Sequence, residues 1–256
     1  MHILVSNDDG INAKGIRILV EELAKIARVT VVAPDGERSA QSQALTINKP
    51  LMIHEQDMNI LNVKAYRVDG TPADCVKLAL GEIMQNDLPD LVVTGINHGP
   101  NLGTDILYSG TVGAAIEGLT YDLPALAVSL VTWGGYEWDF TVAARYAAKI
   151  APQLVADYRL TKRARLININ VPNLPEDKLR GSVVTTMGVL RYENIFERRT
   201  DPRGRVYYWM GGDITDDAAH PTSDVEAVRA GKISLTPLMI DFTDYSMMDV
   251  IRKWEI

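Results

Sequence analysis

Two carboxylates stand side by side near the start of the chain, in Asn7-Asp8-Asp9-Gly10. The apolar run Ile3-Leu4-Val5, closing with Ser6, leads straight into them and reads as a buried strand. Neighbouring side chains on a continuing strand point to opposite faces, so one site uses both acids only if the chain turns there. Gly10 permits such a turn. In an open α/β sheet, ligands bind just beyond the carboxyl ends of the strands. Two acids so placed repel unless something compensates them, and a hard divalent cation is the natural partner for their oxygens. The competing reading is a solvated turn, for which Asn, Asp and Gly are common.

Three more segments have residue types suited to a site. Pro34-Asp35-Gly36-Glu37-Arg38-Ser39 stops a β-branched run and by itself reads best as a surface turn. The stretch Gly95-Ile96-Asn97-His98-Gly99-Pro100-Asn101-Leu102-Gly103 is poor core material. Its small residues and amides suit a loop that wraps a ligand, or else a solvated connection. Tyr108-Ser109-Gly110-Thr111-Val112-Gly113-Ala114-Ala115 opens a small-residue helix. The first amides of a helix point outward and favour anions. Ser109 and Thr111 add hydroxyl donors, although plain capping by such residues is also common. Their convergence at one end of one sheet is the stronger argument.

The elements that would position these segments alternate. Strand Ile3–Ser6 precedes a helix near Gly15–Ala27, whose Ile16, Leu19, Val20, Leu23 and Ile26 recur at helical spacing. Strands follow at Val29–Ala33 and Tyr66–Val68, and Thr71-Pro72 opens a helix running to about Met84. Leu91-Val92-Val93 is a buried strand, followed by a helix over Val112–Tyr121 and a strand over Ala125–Leu130. Asp139 caps a long helix reaching about Val155, and Leu166–Val171 is the next strand. This alternation predicts an α/β fold, a mostly parallel sheet with helices on both faces. The last third differs. Tyr192–Thr200 and Arg205–Met210 flank Asp201-Pro202-Arg203-Gly204, which suits a type I turn in a projecting hairpin. Its aromatic residues need cover from the parent domain or a partner subunit. Ile233–Leu238 returns to the core, and a terminal helix lies near Ser246–Trp254.

Composition narrows the function classes. The 256 residues fit one large domain, and 46% hydrophobic with 23% charged is an ordinary globular balance. A net charge of −7 argues against binding nucleic-acid polymers. An anionic small molecule stays open, because a bound cation reverses the local field. The single cysteine, Cys75, allows no internal disulfide and reads as a buried small hydrophobe. No apolar run reaches membrane-spanning length and no basic-then-apolar leader opens the chain, so the expected location is the cytoplasm.

Together these motifs resemble the SurE family of metal-dependent nucleotidases, over nearly the whole chain. The likeness also takes in Gly70-Thr71-Pro72-Ala73-Asp74-Cys75-Val76 and Ser234-Leu235-Thr236-Pro237-Leu238. The resemblance implies a Rossmann-like three-layer core over residues 1–180 of a single domain, 1–256. It implies a C-terminal extension over 181–256, with hairpin 192–210, used in dimer or tetramer assembly. It implies hydrolysis of nucleoside 5′- and 3′-monophosphates, with trimming of short polyphosphate in some members. It also implies one divalent cation per subunit, held by Asp8, Asp9, Ser39 and Asn97. Three departures stand out: Ala40 replaces the glycine usual after the metal-binding serine, the following Gln41-Ser42-Gln43-Ala44 is also unusual, and Thr94 stands where serine is common.

The chemistry expected is metal-assisted transfer of phosphate to water. Oxygen ligands favour Mg²⁺ or Mn²⁺. Asn97, Asn101, Ser109, Gly110 and Thr111 would cradle the phosphate, and one of Asp8 and Asp9 would accept the water's proton. His98 is a candidate for protonating the leaving alkoxide, or for contacting base or ribose. Asp8 as a covalent nucleophile ranks second, because phosphatases of that type separate their two aspartates by one residue. The alternative from another class is a non-catalytic nucleotide-binding regulator. A nicotinamide dehydrogenase would need Gly-x-Gly-x-x-Gly where Asn7-Asp8-Asp9-Gly10 stands.

Overall fold

The computed structural model describes residues 1–133, 136–215 and 220–254. In chain order the first elements are β1 (His2–Ser6), α1 (Lys14–Leu23), β2 (Arg28–Pro34), β3 (Ile53–Glu55), β4 (Val63–Val68) and α2 (Pro72–Leu78). Then come β5 (Leu91–His98), α3 (Gly110–Thr120), β6 (Ala125–Val131), α4 (Thr141–Thr161) and β7 (Leu166–Pro172). The remainder are β8 (Ser182–Val184), β9 (Arg191–Glu193), β10 (Phe196–Thr200), β11 (Val206–Met210), β12 (Asp213–Thr215), α5 (Asp224–Arg229), β13 (Ile233–Leu238) and α6 (Tyr245–Ile251).

Nine strands form one sheet in the order β3-β4-β2-β1-β5-β6-β7-β13-β8. From β4 to β7 every pairing is parallel, while β3 and β13 run antiparallel to β4 and β7. The sequence alternates along β1 between the two sides of this sheet. Ile3 and Val5 pack with Ile16 and Leu19 of α1 and Ala143 and Ala144 of α4. Leu4 packs with Val76 of α2 and Val112 and Ala115 of α3. Two apolar clusters, one on each face, make the three layers of a Rossmann-like sandwich, as the alternation predicts.

Several boundaries differ from the sequence reading for local reasons. Thr71 does cap α2: its hydroxyl accepts from Asp74 N at 3.1 Å and the Asp74 carboxylate accepts from Thr71 N at 2.9 Å. The helix then widens into a π turn over Ala79–Ile83 instead of running on as α-helix to Met84. Asp139 accepts from Thr141 N at 2.9 Å, yet Phe140 holds the N-cap position of α4. That helix passes Val155 to Thr161, because its last turns are solvent-facing and carry no apolar stripe to read. The expected strand Tyr192–Thr200 is broken at Asn194, whose φ of 51° is left-handed. Its first piece, β9, pairs with β12, and only β10 joins β11. Gly204 N donates to Asp201 O at 3.0 Å, closing the expected hairpin turn. β13 returns to the main sheet beside β7, as expected.

Candidate active site

The sheet's connections reverse between β1 and β5: β1 leads toward β2 and β4 on one side, and β5 toward β6 and β7 on the other. Such a switch point opens a crevice at the carboxyl ends of the strands. Asp8 and Asp9 follow β1 there, and Asn97 and His98 end β5.

The turn after β1 is built by close backbone packing. Asn7 is buried and its amide donates to Gly10 O at 2.9 Å. Gly10 has φ +95°, and a Cβ there would lie 3.0 Å from the Gly36 backbone. Arg38 N donates to Asp8 O at 2.7 Å, and Ile11 N to Pro34 O at 2.9 Å. The loop after β2 is thereby tied to the loop after β1. The chain does turn at the two acids, which allows both to serve one crevice.

Asp8 is 6% exposed, and its Oδ1 accepts from the hydroxyl of Thr111 at 2.5 Å. Thr111, expected beside phosphate, is wholly buried and spends its hydroxyl on this acid. Gly110 is equally committed to Asp8: a Cβ at 110 would lie 3.0 Å from Asp8 Cβ and 3.1 Å from Oδ2. Ser109 caps α3 by accepting from Val112 N at 3.1 Å. Thr94 donates to Thr111 O at 2.7 Å, so this departure from serine keeps the hydroxyl that ties β5 to α3.

Asp9 Oδ2 accepts from His98 N at 3.2 Å. The His98 ring packs against Trp138, centroids 3.5 Å apart. Asn97 donates to Gly99 O at 2.9 Å. Asn101 is buried behind them: its side-chain amide donates to Ser129 Oγ at 2.9 Å, and its backbone carbonyl accepts from Asn168 and Asn170 at 2.8 and 2.9 Å. Ser39 is exposed and its hydroxyl donates to Glu37 Oε1 at 2.6 Å. Ala40 next to it has φ +55°, the conformation in which glycine is the default.

Asp8, Asp9, Ser39, Asn97, His98, Asn101 and Ser109 line one cavity of about 640 Å³, within the range of small-molecule sites. Gly110 and Thr111 lie behind its wall. The cavity is completed by residues the sequence reading missed: Glu37, Asp105, Tyr108, Tyr192, Ile195, Met210 and Gly211. Glu37 and Tyr108 stood in segments already singled out. The last four come from the C-terminal extension, whose path no local signal encodes.

Burial pushes the Asp8 carboxyl above the usual range, partly offset by Thr111. Burial, then the charge of Asp8, pushes Asp9 up to about 7. No cationic side chain contributes to either shift. The pair is therefore a negative charge that the described residues do not compensate. Among those residues no cluster of three or more His, Cys, Asp and Glu could hold a metal. Any cation here must complete its shell from neutral oxygens, such as Asn97, Ser39 and water. Two carboxylates with amide and hydroxyl oxygens fit a hard cation and not structural zinc.

Among the described residues no helix is long and apolar enough to cross a membrane. The family model described as Survival protein SurE matches residues 3–194. The chain is 46% identical over 254 residues to 5′-nucleotidase SurE of Heliobacterium modesticaldum, covering 99% of this chain and 92% of that protein. It is 48% identical to 5′-nucleotidase SurE of Moorella thermoacetica, covering 99% and 96%. The crystal structure of SurE protein from Aquifex aeolicus superposes with a TM-score of 0.83 at 36% identity, covering 98% of both chains. A shared sheet, a shared sequence across nearly its full length and a matching family model leave one conclusion: the chain belongs to the SurE family.

Proposed function

We propose that the protein is a phosphoric monoester hydrolase that converts nucleoside 5′-monophosphates to nucleoside and phosphate in the cytoplasm. Nucleoside 3′-monophosphates and short polyphosphate are further substrates. The observation that carries this reading is the uncompensated pair Asp8 and Asp9 facing the same cavity as Ser109 at the start of α3. The relatives named 5′-nucleotidase support it.

Asp8 and Asp9 would hold one divalent cation, Mg²⁺ or Mn²⁺, with Ser39 and Asn97 as neutral donors. Bound there, the cation supplies charge neutralisation at the two acids and at the phosphoryl oxygens. The residues of the chain do the rest. Thr111 and Gly110 aim Asp8, the first by its hydrogen bond and the second by leaving room. Ser109 and Asn101 hold the phosphate at the tip of α3, where backbone donors and the helix dipole favour an anion. His98 N orients Asp9 through one carboxylate oxygen, and one of Asp8 and Asp9 takes the proton from the attacking water. As the water oxygen bonds to phosphorus, the ester P–O bond breaks and its electrons leave with the alkoxide. His98 acts through its backbone amide, its ring being packed on Trp138.

We take residues 1–256 as one domain, a core over 1–180 with an extension over 181–256, assembling as a dimer or tetramer through the extension. Phe196, Trp209, Phe242 and Trp254 are each more than half exposed there, and such a surface calls for a partner copy. Phosphate release from adenosine 5′-monophosphate tests the function: it should appear with Mn²⁺ or Mg²⁺ and vanish with chelator. Equal release in chelator would overturn the proposed role of the two aspartates.

A further inference from the structure

Helix α3 carries a buried carboxylate that the hydrolytic chemistry does not use. Glu117 is 3% exposed, on a helix otherwise made mostly of small and apolar residues. A carboxylate so placed needs donors. Its Oε2 accepts from Lys77 Nζ of α2 at 3.0 Å. Its Oε1 accepts from the side-chain amide of Gln43 at 2.8 Å. Gln43 belongs to Gln41-Ser42-Gln43-Ala44, the stretch after Ser39 that departs from the family's pattern.

This stretch lies along one face of α3. Residues 113 and 117 are about one turn apart and share that face. Gly113 is a notch in it: a Cβ there would lie 2.2 Å from Ser42 O, so loop backbone fills the space of a side chain. Glu117, one turn on, is the hook for Gln43. Ser42 adds two ties, its N donating to Tyr108 O at 2.9 Å and its hydroxyl to Leu107 O at 2.8 Å. On the other side of Ser39, Arg38 N donates to Asp8 O at 2.7 Å. Ser39 therefore sits on a short span tied at both ends, to the acids after β1 and to α3. The residue itself is exposed, and among the described residues only Glu37 holds its hydroxyl.

We propose that Gln43 is a positioning residue for the cation site: hooked on Glu117, it holds the loop that carries Ser39 in place beside Asp8 and Asp9. This deepens the nucleotidase reading and rests on Ser39 as a neutral donor to the cation. A ligand on an exposed loop gives little affinity unless groups behind it fix its place. The hook must be a donor, because an ionised carboxylate only accepts. Lys77 supplies the opposite charge that a buried carboxylate requires, so the residue at 43 is free to be a neutral amide.

The test is calorimetric titration with Mn²⁺, with a melting curve for each variant. Gln43→Ala should weaken Mn²⁺ about tenfold, with the melting temperature nearly kept. Gln43→Glu sets two carboxylates against each other and should weaken it further. Adding Glu117→Gln to Gln43→Glu exchanges the amide and the carboxylate, and should return the affinity to within about threefold of wild type. In a Ser39→Ala background the loss from Gln43→Ala should vanish, because Gln43 acts through Ser39; a merely structural loss would persist. Unchanged Mn²⁺ affinity in Gln43→Ala, or the same loss with and without the serine, would overturn the proposal. Wild-type Mn²⁺ affinity in Ser39→Ala would instead strike the reading of Ser39 as a donor, so the two failures are separable.

Discussion

The Thr111 hydroxyl donates to Asp8 Oδ1 at 2.5 Å, joining the first turn of α3 to the end of β1. Residues 103 positions apart are thereby locked where one acid must be aimed. Thr111→Val keeps the shape and removes the donor. The hydroxyl lowers the Asp8 carboxyl, so its loss leaves burial less opposed and drives that group further up. Turnover should fall by about 10- to 100-fold, with the melting temperature nearly kept. Steady-state kinetics with a melting curve checks this, and unchanged kcat would remove Thr111 from the machinery.

Asp9 gives a pH dependence whose sign is fixed. Its carboxyl is held at about 7 by burial and by Asp8, well above the value of an unfolded chain. Cation-free, the folded protein keeps a proton that the unfolded chain has released between about pH 4 and pH 7. Stability from this group is therefore complete below about pH 4 and is lost as pH rises through 7. A divalent cation must displace that proton, so its affinity should weaken by up to about tenfold per unit below pH 7. Melting curves with and without Mn²⁺ should show a larger gain at about pH 8 than at about pH 5.5. Equal gains would contradict the assignment.

Ala40 is a departure with a measurable cost. At φ +55° its Cβ is strained, and glycine is the residue that position favours. Ala40→Gly should raise stability by up to about 1 kcal/mol, since relief of strain outweighs the added freedom of the unfolded chain. Denaturant titration reads this directly.

The loop beside it rests on α3. A Cβ at Gly113 would lie 2.2 Å from Ser42 O. Gly113→Ala must push the Ser39-bearing loop outward. Cation affinity should drop about tenfold or more while the core, whose clusters do not include Gly113, holds. Calorimetric titration with Mn²⁺ is the check.

His98→Ala should change kcat by less than about threefold, because the contact to Asp9 is made by the backbone amide that alanine retains. A loss of about a hundredfold, read by steady-state kinetics, would restore the imidazole to the chemistry.

The strand–helix alternation was legible because β1, β2 and β6 are largely apolar runs and α1 carries one apolar stripe. Asp8, Asp9, Asn97 and Ser109 were legible because loops at strand ends had polar types that a core rejects. What stayed hidden is of two kinds. Thr111 and Gly110 look like phosphate groups in sequence, and only coordinates reveal that Asp8 occupies their reach. Tyr192, Ile195 and Met210 belong to an extension whose short pieces pair out of order, with β9 on β12 across the hairpin between them. A single left-handed residue, Asn194, redirects that segment, and no periodicity announces it.

The most direct measurement is Asp8→Asn, followed by phosphate release from adenosine 5′-monophosphate during a Mn²⁺ titration. The substitution is nearly isosteric and removes one charge from the pair. Turnover should fall by about a thousandfold or more, with weaker Mn²⁺ binding and an unchanged melting transition. A variant that kept the wild-type kcat and Mn²⁺ dependence would contradict the account.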